Sequence, residues 1–207
     1  MTPLLALIGA KPGGHDVAME ILSMRLYSDH DQHRPTDPEL AAAGRALLAQ
    51  LPFSHDDRDG SFRLQLVAKP ALTGAEGPET ARLVWRNLVA AIVRQETYAF
   101  EQQGLLKALF STQPALLLGE VTAGDEDTTQ QMFRLLRDAG RVDGNPVDVI
   151  PAETLLAWCR AAPSTRFLQA AAIITAVTGG TDGAAAQWTS SAHALLGKAP
   201  DRAAVLD

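Results

Sequence analysis

The chain has 207 residues, 46% hydrophobic and 20% charged, a balance that supports a real core and excludes a disordered or collagen-like polypeptide. A formal net charge of −6 removes any overall electrostatic case for nucleic acid or an anionic membrane surface as partner. The longest nearly apolar run, Phe167 to Val177, falls short of the roughly 20 residues a membrane span requires, and no basic residue precedes Leu4 to Ile8 to make a signal peptide.

Taken in order, Pro3 to Ala10 reads as a short apolar helix stopped by Gly9 or by Lys11-Pro12-Gly13-Gly14. Asp16 is placed to cap a second helix through Val17, Ile21, Leu22 and Leu26, ending near Tyr27, and Ser28 to Asp37 reads as a polar loop. Asp37-Pro38-Glu39 supplies cap, proline and acidic first turn for a helix through Leu40, Leu47, Leu48 and Leu51. After a polar loop from Pro52 to Gly60, Ser61 to Val67 alternates like a strand, but no partner strand is evident and a helix is expected.

Gly77-Pro78-Glu79 repeats the start signal ahead of what should be the longest helix, through Leu83, Val84, Leu88, Ile92 and Val93 to about Phe100. Helices from Gln102 to Phe110 and from Gln113-Pro114 to Leu118 follow. Asp125 or Asp127 caps a helix carrying Met132, Phe133, Leu135 and Leu136 that Gly140 closes, and Asn145-Pro146 reads as loop. The stretch Val149 to Leu168 has the clearest signature. Pro151 opens one helix with an apolar stripe of Leu155, Leu156, Trp158 and Cys159, and Pro163 stops it. Ser164 is then placed to cap a second helix whose face is Phe167, Leu168, Ala171, Ala172 and Ile174. Gly179 to Gly183 breaks the chain, Ala184 to Leu196 forms a further helix, and Ala199-Pro200-Asp201 opens one left unfinished at Asp207.

The helix-opening prolines Pro38, Pro78, Pro114 and Pro151 stand 40, 36 and 37 residues apart. A two-helix unit of about 40 residues is the period of HEAT and armadillo solenoids. The expected fold is therefore all-α, stacked antiparallel helical hairpins forming either an α-solenoid or an irregular bundle, as a single domain over residues 1–207. Trp158-Cys159, Pro163, Arg166, Trp188, Leu195-Leu196 and Ala199-Pro200-Asp201 resemble helical-repeat segments inside large bacterial multidomain proteins, with weaker echoes at Arg25-Leu26 and Glu96 to Phe100. The resemblance implies a recognition or scaffolding segment of a longer protein, not a catalytic one. Some such proteins carry an NTPase elsewhere, but this chain has no Walker-type phosphate loop.

Three His-Asp pairs occur, at His15-Asp16, His30-Asp31 and His55-Asp56. His30, His55 and Asp56 with Asp125 or Asp127 imitate the ligand order of metal-dependent HD-type phosphohydrolases, in which the metal turns a bound water into a nucleophile. Solvated loop residues are the plainer reading of those pairs, since metal ligands need rigid supports. The same holds for His30 with His33, and the Gly13-Gly14 turn lacks the Lys-Ser/Thr of a phosphate site. Gly124-Asp125-Glu126-Asp127 lacks calcium-loop spacing. Cys159 is expected as a buried thiol, and Trp85, Trp158 and Trp188 as packing residues. Arg82, Arg86 and Arg94 lie on one helical stripe and form a candidate groove for an acidic or phosphorylated partner.

Together these readings give a cytoplasmic protein-binding or scaffolding module with no cofactor and no nucleic-acid or membrane partner. A metal-dependent phosphohydrolase and a structural spacer are the alternatives. The scarcity of charge in Ala184 to Leu196 further suggests a chain that ends inside a repeat array, either as a fragment of a longer protein or with its end covered by a second copy.

Overall fold

A computed structural model describes residues 2–31, 35–53, 60–141, 144–176, 194, 195, 197 and 198. Among these the protein is all-α, with ten α-helices, two short 3-10 helices and no strand. The chain divides into two compact units, Met1–Gln113 and Pro114–Asp207. No helix among the described residues is long and apolar enough to cross a membrane.

The first unit contains α1 (Thr2–Gly9), α2 (Gly14–Asp31), α3 (Pro38–Leu48), α4 (Gly60–Ala71), α5 (Gly77–Val93), a 3-10 helix (Ala99–Gln102) and α6 (Gln103–Thr112). Helix α4 lies at its centre, against α2, α3 and α6, while α1 packs on α2 and α3. Small residues let these helices approach closely. A Cβ on Gly44 of α3 would stand 3.1 Å from the Ala71 Cβ and 3.2 Å from Val67 Cγ1 on α4. Trp85 of α5 meets Phe110 of α6 edge to face, with ring centroids 6.2 Å apart. Such a pair contributes on the order of 1 kcal/mol beyond the area it buries.

Local chemistry sets the joins. Between α1 and α2, the turn Lys11-Pro12-Gly13-Gly14 closes with the Gly14 N–H donating to the Lys11 carbonyl at 2.8 Å, with Gly13 at a φ of 70°. Proline second and a positive-φ glycine third is the type II arrangement. A Cβ on Gly14 would overlap the Ile8 carbonyl, so the first residue of α2 has no room for a side chain. The join between α4 and α5 repeats the device. A Cβ on Gly77 would overlap the Leu72 carbonyl, and Gln113 Nε2 donates to that same carbonyl at 2.7 Å. One glutamine beyond α6 thus ties off the exit from α4.

The second unit contains α7 (Pro114–Val121), α8 (Glu126–Ala139), a 3-10 helix (Pro146–Val149), α9 (Ala152–Arg160) and α10 (Pro163–Ala176). Helix α7 touches α8 and α9, and α10 touches α8 and α9. Within each unit the helices that follow successive prolines are neighbours, α3 beside α5 and α7 beside α9. At the α9–α10 turn, Arg166 Nη1 donates to the Trp158 carbonyl at 3.1 Å while its guanidinium lies 4.9 Å from the Trp158 ring centroid. A cation at a helix C-terminus and over an indole face is favourable on both counts.

Several local expectations are met. Asp37 accepts from the Glu39 N–H at 2.8 Å and Asp125 from the Thr128 N–H at 2.9 Å, each capping its helix, and Gly140 ends α8. Ser61 to Val67 lies within helix α4, as expected.

Others need correction. Helix α2 does not end near Tyr27 but runs to Asp31, and at 18 residues it exceeds α5 at 17. Asp16 lies in its first turn and not at its cap. Helix α5 stops at Val93, because Arg94 Nε and Nη2 turn onto Glu96 at 2.7 and 2.8 Å and Gln95 adopts a φ of 60°. Pro151 is the N-cap of α9, one residue before the helix, and Pro163 takes the first position of α10, leaving Ser164 inside the helix. Leu168 is therefore 52% exposed, and Ala170 and Ile173 fill the inner face with Phe167 and Ala171. Of Ala184 to Pro200 only Ala194, Leu195, Gly197 and Lys198 are described, so that helix, Trp188 and the final start signal lie outside the described residues.

Candidate binding cleft

An apolar cleft of about 260 Å³ lies within the second unit. It begins with Asn145. This residue is buried, and its Oδ1 accepts from the Val147 N–H at 3.0 Å while its own N–H donates to Asp148 Oδ2 at 3.2 Å. The reciprocal pair is a capping box. Asn145 Nδ2 also reaches the Leu136 carbonyl at 3.5 Å, so the cap of the 3-10 helix is tied to the last turns of α8.

This anchoring places Val147, Asp148 and Ile150 on one wall, opposite Ala170, Ile173 and Ile174 of α10. Ala152 and Leu155, one helical turn apart on α9, form the third side, and Leu118 of α7 closes the lining. Leu118, Ala170 and Ile173 are almost fully buried and make the floor, while Ile150, Leu155 and Ile174 are half-buried and form the rim. Among the described residues Asp148 is the only ionisable one in the lining, and its carboxylate is engaged by Asn145. The arrangement can take up apolar groups; its lining presents no nucleophile and no acid–base pair. An apolar cavity of roughly 150 Å³ holds benzene, so this cleft has room for one or two large side chains.

The sequence-derived candidates stand elsewhere. His30 is in the last turn of α2 rather than in a loop; His55 and Asp56 lie outside the described residues. Asp125 belongs to the second unit, where Thr128, through its side chain first and its backbone N–H second, holds the carboxyl below its ordinary value. Asp127 is in the first turn of α8. No group of three or more His, Cys, Asp or Glu able to hold a metal ion occurs among the described residues. His15 Nε2 lies 3.0 Å from the Leu47 carbonyl near the end of α3, a contact that joins two helices.

Of the arginine stripe, Arg82 pairs with Glu79 at 3.6 Å, and Arg94 is bound through both nitrogens to Glu96, whose carboxyl it holds below its ordinary value. Arg86 is exposed on α5. Two of the three charges are thus already balanced. Cys159 is fully buried beside Trp158; desolvation pushes its thiol up to about 11, and Sγ donates to the Arg166 carbonyl at 3.7 Å. Trp85 is buried in the first unit and Trp158 in the second.

Sequence reading found Leu155 and Ile174 as stripe residues but missed Val147, Asp148, Ile150 and Ile173. The available signal was the apolar pair Val149-Ile150 held between Asn145-Pro146 and Pro151, a short run too brief to show a period. No protein-family profile, no curated protein and no solved structure matches the chain.

Proposed function

We propose that the chain is a protein-binding helical module that recognises apolar side chains of a polypeptide partner in the cleft of its second unit. The carrying observation is the chemistry of that cleft, whose lining is apolar apart from Asp148, an acid already held by the Asn145 cap. Apolar pockets with few polar groups are the usual form of sites that bind by burial. A partner helix or extended segment presenting one or two Leu, Phe or Met residues fits such a shape. The unpaired cysteine fits a cytoplasmic setting, and the neighbouring pairs α3–α5 and α7–α9 fit a helical-repeat scaffold.

The test is selection of peptides from a displayed random library against the whole chain, followed by binding to Leu155→Arg. Leu155 is half-buried at the rim, so the substitution puts a charge at the mouth. Selected peptides rich in large apolar residues should lose at least tenfold in affinity while far-UV circular dichroism is unchanged. Binders indifferent to Leu155→Arg, or none at all, overturn the proposal. Metal-dependent hydrolysis of a phosphate ester, abolished by His55→Ala, would favour the phosphohydrolase reading.

A further inference from the structure

Helix α2 is apolar on two opposite sides. Its inner side carries Ala18, Met19, Leu22 and Leu26, all buried against its own unit. Its outer side carries Val17 and Met24, 49% and 59% exposed, with half-buried Ile21 between them. Helix α1, packed against α2, adds Leu4 and Leu7 at 59% and 67% exposure. These two helices hold five of the nine exposed large hydrophobic residues among the described residues.

The outer side has heptad register. With Ile21 at position a, Val17 and Met24 fall at d and Ser28 at the next a, while the residues buried in their own unit fall mostly at b, c and f (Met19, Leu22, Ser23, Leu26 and Asp29), with Ala18 at e. The same register puts Glu20 at g and Arg25 at e. In a parallel two-stranded pair the g residue of one helix meets the e residue five positions on in the other, here an acid against a base on both sides of the seam. Both are half-exposed; Arg25 pairs with the buried Asp29 at 3.5 Å, and Arg63 stands 4.0 Å from Glu20. Arg25 has donors enough to keep Asp29 and accept a second carboxylate.

We propose that α2 is a self-association surface, pairing in parallel with α2 of a second copy of this chain through Val17, Ile21 and Met24, with Glu20 and Arg25 fixing the register. The contact spans about two heptads, so the dimer is weak and reversible. It is independent of the cleft and uses a different surface from the C-terminal end expected from the sequence.

Sedimentation of the full chain over a wide concentration range tests it, together with Met24→Lys, Glu20→Lys and, as control, Val93→Lys on the exposed end of α5. A monomer–dimer equilibrium is expected, weakened at least tenfold by Met24→Lys, less by Glu20→Lys and unchanged by Val93→Lys. Met24→Cys and Val17→Cys, each in a Cys159→Ala background, report orientation, because a parallel pair brings both positions against themselves whereas an antiparallel pair can do so for one at most; oxidation of each should give a disulfide-linked dimer. A monomer at every concentration overturns the proposal, as does a dimer indifferent to Met24→Lys. A dimer that either cysteine fails to cross-link overturns the parallel register, and a chain that stays monomeric yet binds a different protein through α2 overturns the second copy as occupant.

Discussion

The two units use the same kind of element and join it differently. In the first, beside polar ties at Asp37 and Gln113, helices also meet through absent side chains: Gly14 and Gly77 lie against the Ile8 and Leu72 carbonyls, and Gly44 lets α3 settle on Val67 and Ala71. In the second, the joins are made by polar side chains acting at helix ends, with Asp125 at the start of α8, Asn145 between α8 and the 3-10 helix, and Arg166 at the end of α9. Both units carry a concavity, but of different chemistry: the second holds the apolar cleft of about 260 Å³, and the first a wider groove of about 500 Å³ along α3 and the α4–α5 join, with Arg45 and Glu76 in its lining.

The comparison breaks most visibly in the core of the first unit. Phe110→Ala removes a fully buried ring and its edge-to-face contact with Trp85, a loss of about 3–5 kcal/mol. Hydrogen exchange read by peptide should show protection falling across residues 60–112 and holding across 114–176; an equal fall in both would make the units one cooperative body. Gly77→Ala comes next, at about 2 kcal/mol, because the new methyl group must push on a backbone carbonyl. A neutral result in urea denaturation would show that the α4–α5 join yields, contrary to the contrast drawn above.

In the second unit, Asn145→Ala should cost about 1–2 kcal/mol by removing a cap and leaving the Leu136 carbonyl without that donor. It should weaken peptide binding as well, since the cap positions Val147 and Ile150; stability lost with binding intact would separate cap from cleft. The smallest effect is acid sensitivity. The folded-state carboxyl of Asp125 lies below its ordinary 3.8, so its contribution is present above that value and is lost as pH falls through the lower folded value. Asp125→Asn keeps an acceptor that cannot titrate, and the protection of the Thr128 amide, taken relative to its intrinsic exchange rate at each pH, should then lose its acid dependence. An unchanged dependence would assign it to another group.

Caps and stops were legible because they depend on neighbours in sequence: Asp37, Asp125 and Gly140 act on residues within four positions. The all-α class was legible for the same reason, start signal by start signal. The end of α2 was not, since Ser28-Asp29-His30-Asp31 has the composition of a loop, yet its Asp29 is buried beside Arg25. The end of α5 was hidden because an arginine–glutamate pair and one positive-φ glutamine decide it, and neither leaves a periodic trace. The cleft was least legible of all. Its walls come from residues as far apart as Leu118 and Ile174, and Ile173 faces it only because α10 begins at Pro163.

Cys159 has a consequence in time rather than in space. It is the chain's one thiol, buried under the α9–α10 turn and bonded to the Arg166 carbonyl. With its ionisation pushed up to about 11, it can meet a dissolved alkylating reagent at neutral pH only when that turn opens. With little reagent, the labelling rate measures the fraction of molecules open at any instant; with a large excess, it measures how often opening occurs. The second unit therefore carries its own stopwatch, and a peptide seated between Leu155 and Ile174 should slow it.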